Sequence, residues 1–194
     1  FLVQPLMAKY ILPWFGGGSG VWTVCLMFFQ VVLLAGYAYA YALVKWAPPK
    51  AQMWIHIALL IGAAITLPIA PGLQWKPQAG DDPTWRIVAL LAICLGAPYL
   101  LLASTGPLIQ AGFVRSHPGI SPYRLYALSN AGSLLGLHGH PLAVEPILTR
   151  TTQSTAWSAG FVAYAVFCAL CAAGQVRGAR SAAAGVNSQT SSAE

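Results

Sequence analysis

Residues 21–44 read VWTVCLMFFQVVLLAGYAYAYALV, and no Asp, Glu, Lys or Arg occurs among them. At the α-helical rise the stretch reaches ~36 Å, more than the ~30 Å hydrocarbon core of a bilayer. It reads as a spanning helix with some tilt. Its second half, Ala35-Gly36-Tyr37-Ala38-Tyr39-Ala40-Tyr41-Ala42, sorts by helical spacing. Tyr37 and Tyr41 share one face; Ala35, Ala38 and Ala42 share another. Small side chains let a second helix approach closely, so Ala35 and Gly36 are predicted helix-packing positions. Lys45, Trp46, Pro48, Pro49 and Lys50 end the span.

The whole chain has the same character. It has 194 residues, 57% of them hydrophobic, and only 7% charged. A soluble domain carries about 25% charged residues. Mean hydropathy is +0.65. These values exclude an ordinary soluble enzyme, a disordered chain and a secreted disulfide scaffold. The net charge of +6 reflects four acids against ten bases rather than a dense basic patch. Nucleic acid is therefore not an expected partner. Cys25, Cys94, Cys168 and Cys171 all lie in apolar runs and read as packing residues.

The expected fold is all-α, a polytopic transmembrane helix bundle of about six spans. The first, Phe1 to Leu12, is short and reads as the second half of a helix, stopping at Pro13 and the glycine-rich stretch Gly16 to Gly20. The third runs from about Met53 to Ala70, with His56 one turn in and read as a solvated amphipath. Pro71, Pro77, Asp81, Asp82 and Pro83 mark a polar loop. The fourth span is about Ile87 to Ile109, broken or bent by Pro98 and Pro107. Ser104 and Thr105 are expected to satisfy backbone groups freed by Pro107. The fifth is about Leu125 to Leu148 and the sixth about Ala156 to Ala173. Residues 1–174 thus form a transmembrane domain, and 175–194 a disordered polar tail. With the N-terminus inside, Lys45, Lys50, Arg115, Arg124, Arg177 and Arg180 fall on the inner side. Lys9, Lys76, Arg86 and Arg150 fall on the outer side, which predicts a cytoplasmic C-terminus.

The fifth span holds the chemistry. Asn130, His138, His140 and Glu145 sit in it, with Gly132 and Gly136 forming a G-x-x-x-G packing motif. An ionisable residue within a membrane is a functional candidate, and Glu145 is the clearest; its bland alternative is a carboxylate at headgroup level paired with Arg150. Asn130, His138, His140 and Glu145 form the candidate polar or transport site. His138 and His140 are the candidate metal pair. On an unbroken helix they point apart, so Gly139 and Pro141 would have to break it. Zinc wants three or four ligands, and haem is the other metal reading. No Ser-His-Asp order, H-E-x-x-H or Walker pattern occurs, so no catalytic residue and no cofactor are predicted.

Several strings occur together in order: Phe1-Leu2-Val3-Gln4-Pro5, the turn from Pro13 to Trp22, Phe28-Phe29-Gln30 through Tyr39, Ala103-Ser104-Thr105-Gly106-Pro107-Leu108, Tyr123 through Ser133, and Pro141 with Glu145-Pro146. The set resembles the transmembrane domain of bacterial membrane-bound spermidine-synthase-like proteins. The resemblance implies helices likened to half of a major-facilitator transporter, placed ahead of an aminopropyltransferase-like domain. The residues after Ala173 carry no pattern of such a domain, so aminopropyl transfer is not an expected activity of these residues. A second departure is Leu137-His138-Gly139-His140-Pro141, where an apolar run is expected.

Three functions are expected in order. The first is a non-catalytic integral membrane subunit or scaffold. The second is a permease-like half for a small solute such as an amine. The third is a redox or metal-binding subunit using His138 and His140. The expected partners are the lipid bilayer and other membrane subunits or further copies of the chain. The expected location is the bacterial inner membrane.

Overall fold

The computed structural model describes residues 2–77, 82–116 and 119–191, with side chains described as far as Cys171. The described residues are all-α. The helices are α1 (Val3–Phe15), α2 (Ser19–Trp46), α3 (Pro49–Ala64), α4 (Pro83–Leu91), α5 (Ala97–Ser116), α6 (Tyr123–Gly139), α7 (Glu145–Ile147) and α8 (Arg150–Ser191). A wide π-helical turn, Ala92–Gly96, joins α4 to α5, and another, His140–Val144, joins α6 to α7. The polar tail expected at 175–194 lies outside the described side chains, as do Asp81 and His117.

α2 packs chiefly along α5, and its buried face shows why. Phe29, Gly36, Ala40 and Leu43 follow helical spacing and are buried. At Gly36 the two backbones nearly touch. A Cβ there would lie 2.9 Å from the Leu100 carbonyl oxygen and 3.0 Å from the Ala103 Cβ. Ala35 and Ala38, expected on the packing face, are exposed. The tract carries small residues on two faces, and it is Ala103 on α5 that selects the Gly36 side.

Two apolar clusters flank this seam. One gathers Val3, Leu6, Met7 and Ile11 of α1 with Phe28 and Phe29 of α2 and Leu90, Leu91 and Leu95 around the first π turn. The other joins Leu60 and Ala63 of α3 to Leu101 of α5 and Phe161 of α8. Polar cross-links are few but placed at helix ends. Gln52 donates through Nε2 to the Ala47 carbonyl at 2.7 Å, and its Oε1 accepts from Arg115 at 2.8 Å. One buried amide thus ties the ends of α2, α3 and α5. His56 is buried rather than solvated, with its ring stacked on Tyr39 at 6.1 Å between centroids.

Prolines decide where the helices widen. A proline inside a helix cannot donate to the carbonyl four residues earlier, and its ring crowds that carbonyl. For Pro98 that residue is Cys94, inside the first π turn; for Pro146 it is Leu142, inside the second. The wider turn relieves the crowding. α1 ends three residues later than expected, carrying Pro13 in its last turn and stopping at Gly16 with φ of 86°. Ser104 and Thr105 both donate to the Leu101 carbonyl, at 2.8 and 2.9 Å, rather than to the Ala103 carbonyl that Pro107 frees.

Among the described residues, three helical segments are long and apolar enough to cross a membrane: Ser19–Trp46, Pro83–Ser116 and Arg150–Cys171. α1 and α3, with 13 and 16 residues, are shorter than the ~20 that a span needs, whereas α6 continues through the second π turn into α7 but is too polar to count with the three. Large apolar side chains cover the outside: Leu34 is 69% exposed, Phe167 65% and Ile65 84%. So many exposed large apolar side chains suit a lipid surround.

The close crossing gives a paired expectation. Gly36→Ala should destabilise the chain by about 1–3 kcal/mol through overpacking against backbone. Gly62→Ala, whose Cβ would meet nothing within 4 Å, should be neutral or stabilising by up to about 1 kcal/mol through helix propensity. Denaturant titration of both variants in detergent micelles measures the difference.

Candidate functional site

The polar residues of the fifth predicted span do not act as one group. Asn130 and His138 are exposed on α6, and His138 Nδ1 sits 3.0 Å from the Leu134 carbonyl of its own helix. His140 is buried at 6% exposure. The chain stays helical through Gly139 into the π turn, so no break brings the two imidazoles together. Among the described residues, no group of three or more His, Cys, Asp or Glu is placed to hold a metal ion.

The structure does bring His140 and Glu145 together. The Glu145 N–H donates to the His140 carbonyl, closing the π turn, and His140 Nδ1 lies 3.9 Å from Glu145 Oε2. The carboxylate is held by Lys9 of α1 at 2.5 Å, not by Arg150 as expected. Arg150 instead donates to the Lys9 carbonyl at 3.2 Å, with its guanidinium 5.2 Å from the Tyr10 ring centroid. That carbonyl is the one Pro13 leaves without its helical donor. Arg150 therefore replaces a hydrogen bond that proline removed, and Glu145 neutralises the lysine beside it. The pair is partly exposed, and such pairs contribute about 0–1 kcal/mol.

Behind this corner lies a cavity of about 320 Å³. Leu2 and Leu6, Leu102, Val144 and Leu148, and the α8 residues Trp157, Phe161 and Tyr164 form its apolar wall. Trp157 and Phe161 stack at 5.8 Å. Tyr164 is anchored by a hydroxyl contact to Thr105 of α5. The two polar residues on the wall are His140 and Gln153, and each keeps one buried atom without a partner, Nε2 and Oε1 respectively. A buried polar atom left so costs about 1–3 kcal/mol. Sequence reading found His140 but missed Lys9 and Gln153. The signal for Lys9 was Pro13, four residues on; nothing in the local pattern marks Gln153.

The second feature is α6 itself. None of its 17 residues is buried. Ser129, Gly132, Ser133 and Gly136 line a shallow groove bordered by Leu2 and Trp157. A Cβ on Gly132 would meet nothing within 4 Å. The glycine motif is therefore open rather than packed against the rest of the chain.

Replacing Arg150 by Ala should lower stability by about 1 kcal/mol, the worth of one partly exposed hydrogen bond. Pro13→Ala in that background restores an N–H for the Lys9 carbonyl and should recover most of the loss, whereas Pro13→Ala alone should change little. Thermal melts of the four proteins of this cycle give the coupling. Comparison with protein-family models, with curated proteins and with solved structures gives no match, so the site is read from its own geometry.

Proposed function

We propose that this chain is a non-catalytic integral membrane subunit, a helical scaffold that seats a transmembrane helix of another subunit along α6. The observation that carries the reading is a 17-residue helix with no buried residue, although it bears two glycines and two serines at helical spacing. Such a face gains little from lipid, which offers neither close packing to a bare backbone nor hydrogen bonds to a hydroxyl. A helix laid into the Gly132–Gly136 groove supplies both. In this reading α1 and α3, as shorter members, and α6, as a more polar one, complete a bilayer domain of about six spans.

The bacterial inner membrane, with the C-terminus on the cytoplasmic side, is part of the same proposal. Side-chain contacts support the grouping of charges behind it: Lys9 meets Arg150, and Arg115 reaches Gln52 next to the Lys45–Lys50 turn. Membership of the spermidine-synthase-like membrane domains stands beside it as a resemblance in sequence strings. The permease reading draws support from the two proline-linked π turns, which resemble the broken helices of transporters. It is the weaker reading for an amine, because Glu145 is already held by Lys9. A metal or redox role for His138 and His140 is not carried forward, since their rings occupy different surroundings.

The test is Gly132→Leu. The substitution points into open space within the chain, so it should leave the monomer fold and melting temperature unchanged. Native mass spectrometry after mild-detergent extraction should show the wild type with a stoichiometric partner subunit and the variant alone. A wild-type monomer, a wild-type assembly made only of copies of this chain, or a variant that keeps its partner would contradict the proposal.

A further inference from the structure

We infer that the end of the fold where α2 turns into α3 and α5 finishes is a seat for the headgroup of an anionic phospholipid, with the Arg115 guanidinium as its main contact. The inference rests on the bilayer setting and not on the docking role given to α6. What carries it is a group of bases gathered around one buried amide, with no acid at that end among the described residues.

Gln52 fixes the geometry. It is buried, its Nε2 donates to the Ala47 carbonyl at 2.7 Å, and its Oε1 accepts from Arg115 Nη2 at 2.8 Å. The guanidinium is thereby held beside the α2–α3 turn. Lys45 stands two residues before Ala47, and Lys50 two residues before Gln52. Arg115 and both lysines are exposed. Arg124, also exposed, follows at the start of α6. Gln52 is a neutral acceptor and engages one of several guanidinium N–H groups. The charge therefore stays uncompensated, and donors remain for a second acceptor.

The described acids lie elsewhere. Asp82 caps α4, and Pro83–Ser116 runs as one long helical segment, so Asp82 and Arg115 stand at its two ends. α8 runs in the same sense as α5, with Phe161 clustered with Leu101 and Tyr164 in contact with Thr105. Arg150 at its start, and Glu145 just before it, therefore lie toward the Asp82 end. The counter-charge for the opposite end has to come from outside the described chain.

The chemistry of the bases selects a phosphate group. A planar guanidinium matches two phosphate oxygens with parallel hydrogen bonds, and lysines add point charges. The surroundings make that phosphate a lipid's. Trp46 and Tyr123, at the same end, are 75% and 78% exposed, as aromatic side chains are at a membrane–water interface. Lys45 stays at that level, 5.5 Å from the Tyr41 ring centroid and 5.6 Å from that of Trp46. Leu34 and Tyr41, two turns apart on α2, are exposed and lead from this end into the span. Acyl tails gain contact along such a face, and a soluble anion does not.

The experiment is native mass spectrometry of the full chain in detergent micelles, titrated with dioleoylphosphatidylglycerol or dioleoylphosphatidylcholine. The two lipids share their tails and differ in headgroup charge. The expected preference for phosphatidylglycerol is at least about 25-fold, from two basic residues at about fivefold each. Arg115→Gln and Lys50→Gln should each cut it by about fivefold. Lys50 makes no side-chain contact among the described residues, so its variant reads the charge even if Arg115→Gln loosens the α2–α3 turn. Lys76→Gln, at the Asp82 end, should leave the preference unchanged. Inorganic phosphate should not displace the bound lipid. Equal binding of the two lipids, a preference that survives both Arg115→Gln and Lys50→Gln, an equal loss in Lys76→Gln, or displacement by inorganic phosphate would each overturn the inference. So would an acidic polypeptide that co-purifies with the wild type and is released by Arg115→Gln, which would assign this end to a protein.

Discussion

The approach of two backbones at Gly36 sets the frame for the other elements. With no side chain between them, α2 and α5 form a close pair, and each presents its remaining faces to other helices. α2 turns Phe28 and Phe29 toward α1 and the first π turn; α5 turns Leu101 toward α3 and α8, and Thr105 toward Tyr164. Gln4 of α1 reaches the Tyr99 hydroxyl at 3.3 Å, so α1 is tied to the same pair. The cavity lies where α1, the second π turn and α8 meet, with Trp157 contacting both apolar clusters.

A second constraint is that backbone groups away from water need partners. The chain has 14 prolines, and each one inside a helix removes a donor. The structure answers in two ways. At Pro98 and Pro146 the helix widens into a π turn, and at Pro13 a distant arginine reaches the freed carbonyl. Both answers meet at one corner. The π turn that accommodates Pro146 carries His140 on the cavity wall, and the arginine that serves Pro13 brings α8 up to α1. The candidate site is thus a by-product of how the chain copes with its prolines.

Much of the fold was legible because the signals are long and local. The uncharged run of 21–44 and the apolar stretch after Pro83 each correspond to a helix able to cross a membrane. Prolines flagged the places where regular helix fails, though not whether the failure ends a helix or widens it. What depended on distant residues was not legible. The choice between the Ala35 and Gly36 faces rests on Ala103, and the partner of Glu145 is Lys9, 136 positions away. His56 reads as an interfacial residue until Tyr39 covers it. Helices α1, α3 and α6 show the same limit: the sequence pattern counts them as spans, while the shortness of α1 and α3 and the polarity of α6 make crossing depend on what surrounds them.

The claim beneath all of this is that the α2–α5 pair lies in a bilayer with the outer faces of α2 and α8 toward lipid. Spin labels at Leu34 and Val162, in a cysteine-free background reconstituted into vesicles, test it by power saturation. Both residues are exposed and apolar. The account predicts that collisions with oxygen, which concentrates in hydrocarbon, exceed those with a water-soluble nickel chelate at both sites. The reverse ratio at both sites would contradict it.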